Sequence, residues 1–180
     1  DLEYLKEINQ RYKSKDFLVL TFTPKEALTS ESSINNILSL KYKIQSLDWV
    51  HSVVTILDVP LLESSDEPLM DRIKNFRTLK DENIDKERAF NEILSSPVFK
   101  NLVISEDATT TGIIVNLKRK KVLESSAFDN EKEFEDYKDK LKSENHSNIK
   151  EIREVIVSFK NIGKIHLGGI PMIADDMMTF

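Results

Sequence analysis

The chain has 180 residues, of which 26 are basic and 31 acidic, and a net charge of -5. That length can bury a core of its own as a single domain, and the acidic balance counts against a nucleic-acid partner held by phosphate neutralisation. Cysteine is absent, which excludes disulfides, Cys-ligated zinc and a thiol nucleophile.

Leu2, Leu5, Ile8 and Tyr12 recur every three or four residues and predict a short amphipathic helix over 2–13. Asp16 to Thr23 predicts a strand. Its alternate sets, Phe17, Val19, Thr21 and Leu18, Leu20, Phe22, are both largely apolar, so a central strand buried on both faces is expected. Ser30 suits the N-cap of a helix running to about Leu47, with Ile34, Ile37, Leu38, Ile44 and Leu47 on one side. Val50 to Leu57 predicts a second strand, and a parallel pair joined through that helix would cross over right-handed.

Residues 58–100 predict a helical insertion. Pro68 fits a first helical position, and Leu69, Met70, Ile73, Phe76 and Leu79 form one stripe. Asp85 caps a second helix bearing Ala89, Phe90, Ile93 and Leu94, which Pro97 ends. Leu102–Ser105 and Thr111–Leu117 flank the turn Glu106–Thr110 and predict an antiparallel hairpin. Lys118–Lys121 is a short basic run, expected at a solvated strand end.

A charged helix is expected over 129–142, carrying Phe134, Tyr137 and Leu141. Ser143–Asn148 has no apolar residue and predicts an interruption. A further helix then bears Ile149, Ile152, Val155, Ile156 and Phe159, with Gly163 as its stop. Lys164–Leu167 predicts the last strand, Gly168 and Gly169 a tight exit, and 172–180 the start of another helix. Without the insertion, and with the first arm of the hairpin treated as an extension, the order is βαββαβ. The expected fold is therefore α+β, a ferredoxin-like split pattern with a helical insertion at 58–100.

Little in the sequence points to catalysis. Asp175 and Asp176 are adjacent carboxylates of the kind that hold Mg²⁺ beside a phosphate. At the start of a helix, however, acidic residues are favoured without any metal. His51, His146 and His166 show no metal-binding spacing. His166 would need a nucleophile and an orienting acid to act as a base, and no G-x-S-x-G elbow supplies the nucleophile. Trp49 is expected to cover the core edge. No catalytic, cofactor or metal residue is assigned, and no enzyme activity is expected. The candidate site is apolar: Leu61, Leu62, Met70, Ile73 and Phe76 can line a surface for a hydrophobic ligand or partner. The plainer expectation is that the insertion helices pack these residues on the sheet.

The segment Gly168-Gly169-Ile170-Pro171-Met172-Ile173-Ala174-Asp175-Asp176-Met177 resembles the stretch before the second transmembrane helix of resistance–nodulation–cell division (RND) exporters, in their MMPL-like branch. Phe17–Pro24 resembles that family's first porter strand. Trp49–Pro60 is similar to its second strand and exit, and Asn101–Leu117 to its hairpin. The resemblance implies that 1–180 is a single extracytoplasmic porter domain, the first loop between transmembrane helices 1 and 2 of a longer parent. The ends, Asp1 and the apolar Met-Met-Thr-Phe, fit that expectation.

The implied parent is an inner-membrane protein with this domain on the periplasmic side. It would use an ion gradient to export hydrophobic or lipid-like molecules, and this domain would form part of their path by changing conformation. The implied partners are the transmembrane part and a second porter domain of the same chain, with a homo-oligomer of the parent also open. No cofactor and no nucleic acid are implied. The alternative is a soluble ferredoxin-like module that binds or senses a small apolar ligand.

Overall fold

The computed structural model describes residues 17–63, 70, 77–81, 84–118 and 123–179. The helix expected over 2–13, Ile73, Phe76 and most of the basic run lie outside them.

Four strands form one antiparallel sheet: β1 (Phe17–Pro24), β2 (Val50–Val54), β3 (Thr111–Leu117) and β4 (Gly163–Gly168). Four α-helices are described: α1 (Glu31–Gln45), α2 (Lys86–Ser95), α3 (Glu131–Ser158) and α4 (Ile170–Thr179). The protein is thus α+β, as the sequence predicts. The strands lie in the order β2-β3-β1-β4. Ile114 of β3 pairs with Val19 of β1 on one side and Val54 of β2 on the other. Both neighbours are antiparallel to β3, so β1 and β2 run parallel to each other with one strand between them.

β1 is internal, but only one of its faces is fully covered. Leu18, Leu20 and Phe22 are buried, whereas Phe17 and Thr21 are exposed. The buried set joins Ile34, Ile37, Leu40 and Ile44 of α1 and Ile149, Ile152 and Val155 of α3 in one apolar cluster. Two apolar faces allow burial on both sides, but only one of them meets α1 and α3. α1 begins as expected, with the Ser30 hydroxyl accepting from the Ser33 amide at 3.1 Å.

Several expectations are corrected by local hydrogen bonding. β2 stops at Val54 and not at Leu57, because Thr55 starts a 3-10 turn over Ile56–Asp58. There the Thr55 amide donates to Asp58 Oδ2 at 2.8 Å, closing a capping box. The first arm of the expected hairpin is a turn. The Leu102 and Val103 amides donate back to the Phe99 carbonyl at 3.2 and 2.9 Å, and Asn101 has φ 64°. These bonds take donors that a strand ladder would use. Only short links to β3 remain, such as the Gly112 amide to the Val103 carbonyl at 2.8 Å. The expected stripe ending at Leu79 does not continue as a helix. Arg77 bridges to Leu61, and Leu79 is buried from a turn.

α3 is one unbroken helix of 28 residues, about 42 Å long. Its sequence contains neither Gly nor Pro, so the polar run Ser143–Asn148 removes apolar contact but not backbone bonding. Its buried residues are Ile149, Ile152 and Val155, all in the C-terminal half. The N-terminal half is fixed by its cap, with Asn130 Oδ1 accepting from the Glu133 amide at 2.9 Å. The Phe128 ring lies 5.5 Å from Phe134 and 5.1 Å from Tyr137.

Gly163 does not stop α3, which ends at the Phe159 cap; it opens β4 instead. A Cβ there would lie 2.3 Å from the Thr23 carbonyl oxygen, so glycine is required by the approach of β1. Gly169 makes the expected tight exit, at φ 127°.

Candidate functional site

The expected apolar surface is only partly assembled. Leu62 and Met70 are exposed, but Leu61 is 1% exposed and sits in the core cluster. Leu61 is therefore no surface residue. Its amide donates to the Arg77 carbonyl at 2.9 Å, which turns the side chain inward beside Val59. Leu61 and Leu62 border a cleft of about 250 Å³ between residues 59–63 and the C-terminal end of α2. Ile93, Pro97 and Phe99 supply further apolar wall. Glu92 Oε1 closes one side by accepting from the Leu62 and Glu63 amides at 2.6 and 3.0 Å. The cleft is smaller than the roughly 300–1,000 Å³ usual for a drug-sized ligand. Its walls suit a short apolar group.

Asp58 is the hub of a second cluster at the foot of the insertion. Its Oδ1 accepts from Lys41 Nζ at 2.5 Å and Lys80 Nζ at 2.7 Å, and its Oδ2 from the Thr55 hydroxyl at 3.0 Å. Burial would raise its pKa, but the hydrogen bonds from Lys41, Lys80 and the Thr55 amide outweigh burial and lower it from 3.8 to about 2. The reciprocal bond to Asp58 raises that of Lys80. Lys41 belongs to α1 and Thr55 follows β2, so the carboxylate ties helix, strand exit and insertion together. This is a clamp between elements, with the donor groups that a partly buried carboxylate requires.

Asp175 and Asp176 diverge. Asp175 is buried against α3, with Oδ1 2.8 Å from His146 Nδ1 and Oδ2 3.9 Å from Arg153 Nη1. Asp176 Oδ1 accepts from Arg153 Nη2 at 2.6 Å. Asn145 Nδ2 donates to the Pro171 carbonyl at 2.8 Å, so the polar run of α3 is the face that receives α4. A groove of about 390 Å³ follows this seam, lined by His146, Lys150, Arg153, Glu154, Val157 and Asp175. Arg153 reaches both carboxylates and His146 only Asp175, and the pair does not form a shared metal cradle. Among the described residues, no group of three or more His, Asp or Glu side chains could hold a metal ion.

Sequence reasoning missed His146 and Arg153 as partners of these acids. The signal was present: a helix segment without apolar residues needs a polar neighbour if it is to pack at all. His166 is exposed on β4 opposite Thr21, and His51 is exposed on β2. The Trp49 indole covers the core edge and donates to Glu151 at 2.6 Å.

Among the described residues, further apolar side chains face outward on the sheet and on α4. On the sheet face away from the core, Val54, Ile114 and Val19 stand in register across β2, β3 and β1, with exposed Phe17 nearby at the start of β1. On α4, Ile170, Ile173, Met177 and Met178 are exposed. Such patches mark contact surfaces when they are contiguous.

These features define a class: an α+β domain with an antiparallel sheet and a C-terminal helix that turns apolar side chains outward. No model of a known protein family matches the chain, and no curated protein does. Among the described residues, no helix is long and apolar enough to cross a membrane.

Proposed function

We propose that the chain is an extracytoplasmic porter domain of an ion-gradient-driven exporter of the RND type, in its MMPL-like branch, that carries hydrophobic or lipid-like molecules. On this reading the sheet is the ferredoxin-like βαββαβ core, in which β1 and β2 flank β3. Residues 58–100 are the insertion.

One observation carries the reading. β1 and β4 are antiparallel neighbours, with Val19 opposite Gly168, so chain entry into β1 and chain exit from β4 lie at one end of the sheet. A domain set between two adjacent membrane helices needs its entry and exit together. The exit leads into a helix whose outer face is Ile and Met. The exposed Phe17 and Val54 on the outer sheet face support a second porter domain as packing partner. In this proposal the domain performs no transport by itself. It walls part of the substrate path and shifts against that partner as the membrane helices rock.

The test is to express the complete open reading frame that encodes this segment and to fractionate the cells. The reading expects a product that pellets with membranes, resists alkaline carbonate and is released by detergent. A single cysteine placed at Lys150 should then react with a membrane-impermeant maleimide from the periplasmic side. A soluble product would overturn the reading. The apolar cleft beside α2 would then favour a small-ligand-binding module.

A further inference from the structure

The two outer edges of the sheet differ. β2 is closed by the chain itself: Gln45 Nε2 donates to the His51 carbonyl at 3.3 Å, and Gln45 Oε1 accepts from the Val53 amide at 3.0 Å. A side-chain amide thus stands where a further strand would pair. β4 forms the opposite edge, and among the described residues no side chain takes that place. The register shows which groups are left there. The Gly112 amide donates away from β1, to the Val103 carbonyl. Thr21, opposite Gly112, therefore turns its amide and carbonyl towards β4, and so do Val19 and Thr23, because direction alternates along an antiparallel strand. Their partners Gly168, His166 and Lys164 turn inward to β1. Ile165 and Leu167 turn theirs out of the sheet, two donors and two acceptors in a row.

The side chains of this edge specify what would pair with it. Ile165 and Leu167 are only half-buried against the core, as is Ile162 just before the strand, so the core is left open beneath the edge. Lys164 and His166 stand exposed on the other face. The surroundings are basic: the chain has 31 acidic residues, yet none lies between Glu154 and Asp175, where Lys160 and Lys164 fall. β1, the only strand beside β4, has no charged residue. A strand added here needs apolar side chains opposite Ile165 and Leu167 and acidic ones opposite Lys164 and His166. A second copy of β4 would bring Lys164 and His166 close to their own equivalents, and like charges across a strand pair repel.

We propose that the free edge of β4 is a docking site for an extended segment of a partner protein, in which acidic and apolar residues alternate, and that this segment adds as a fifth, antiparallel strand. Its apolar residues exchange amide and carbonyl bonds with Ile165 and Leu167 and extend the core. Its carboxylates lie beside Lys164 and His166. The inference does not rest on the transport reading: a soluble product would leave it standing, and a failed docking would leave the exporter reading standing.

Amide hydrogen exchange read residue by residue by NMR tests this on the 180-residue chain, with a capped hexapeptide of alternating Glu and Val as the probe. In the free chain Lys164, His166 and Gly168 should be protected, and Ile165 and Leu167 should exchange quickly. The peptide should slow exchange at Ile165 and Leu167 by about ten-fold or more and leave the β2 edge unchanged. The same peptide with N-methylated valines, which lacks the donors facing β4, should not bind. Lys164→Glu, at an exposed position, should weaken binding about ten-fold without unfolding the chain. Ile165 and Leu167 amides already protected in dilute free chain would overturn the proposal, because the edge would then be covered by the chain itself. Protection that grows with protein concentration and needs no peptide would overturn it in favour of a second copy. Equal binding of a Lys and Val hexapeptide, unchanged binding after N-methylation, or no protection by the Glu and Val peptide would overturn it outright.

Discussion

Helices α1 and α4 show opposite relations between sequence and surroundings. α1 buries Ile34, Ile37, Leu40 and Ile44 and turns Asn35 and Lys43 to water. α4 buries Asp175 and turns Ile170, Ile173 and Met177 outward. Both have a clear apolar stripe. The stripe says which face avoids water, not which face points to the domain core. In α1 the two coincide, and the helix contributes to the fold. In α4 they do not. The helix is held by polar bonds to α3, and its apolar face points outward.

The largest effect should come from the α1 side. Ile37 is fully buried, so Ile37→Ala should lower the unfolding free energy by about 3 kcal/mol in urea titrations. A loss below about 1 kcal/mol would mean that α1 does not carry the core. The α4 counterpart is Asp175→Ala, which removes the carboxylate facing His146 and Arg153. It should cost about 2 kcal/mol and increase amide exchange along α4 selectively. Unchanged exchange there would break the claim that polar bonds hold this helix.

Acid should separate the two helices further. Asp58 anchors α1 through Lys41, and its folded pKa of about 2 lies below the ordinary 3.8. A lowered carboxylate pKa adds stability above the ordinary value, and that stability is lost as pH falls through the folded value. Asp58 should therefore contribute about 1–2 kcal/mol at pH 5, with most of it gone by pH 2. Asp58→Asn should be less stable than the parent at pH 5 and converge with it near pH 2. A constant gap between the two would contradict the assignment. The smallest effect is that of Ile173→Ser on the outward stripe of α4, about 0.5 kcal/mol or less. A loss above about 1 kcal/mol in urea titrations would mean that this side chain is packed and not exposed.

The elements whose partners are local in sequence were legible. Ser30 and Asp85 cap helices as their side chains predict, and the Gly169 exit is where a tight turn was expected. What failed depended on distant partners. Gly163 resembles a helix stop, but the Thr23 carbonyl, distant in sequence, is what excludes a side chain there. Ser143–Asn148 resembles a break, yet Asn145 and His146 are the residues that receive α4. Leu61 and Leu62 are neighbours of the same chemistry, and only the bridge to Arg77 separates inside from outside. The α4 stripe was readable from its spacing, but its outward direction was not. Orientation depends on Arg153 and His146, more than twenty residues away.

The most direct measurement uses the protein's four methionines. With ¹³C-methyl labelling of Met and a soluble paramagnetic agent, each methyl reports its own access to solvent. Met70 and Met177 are comparably exposed on the described surface. If α4 turns its apolar stripe outward while Asp175 faces α3, the Met177 methyl should broaden as strongly as that of Met70. Several-fold protection of Met177 relative to Met70 in the unmodified chain would contradict the account.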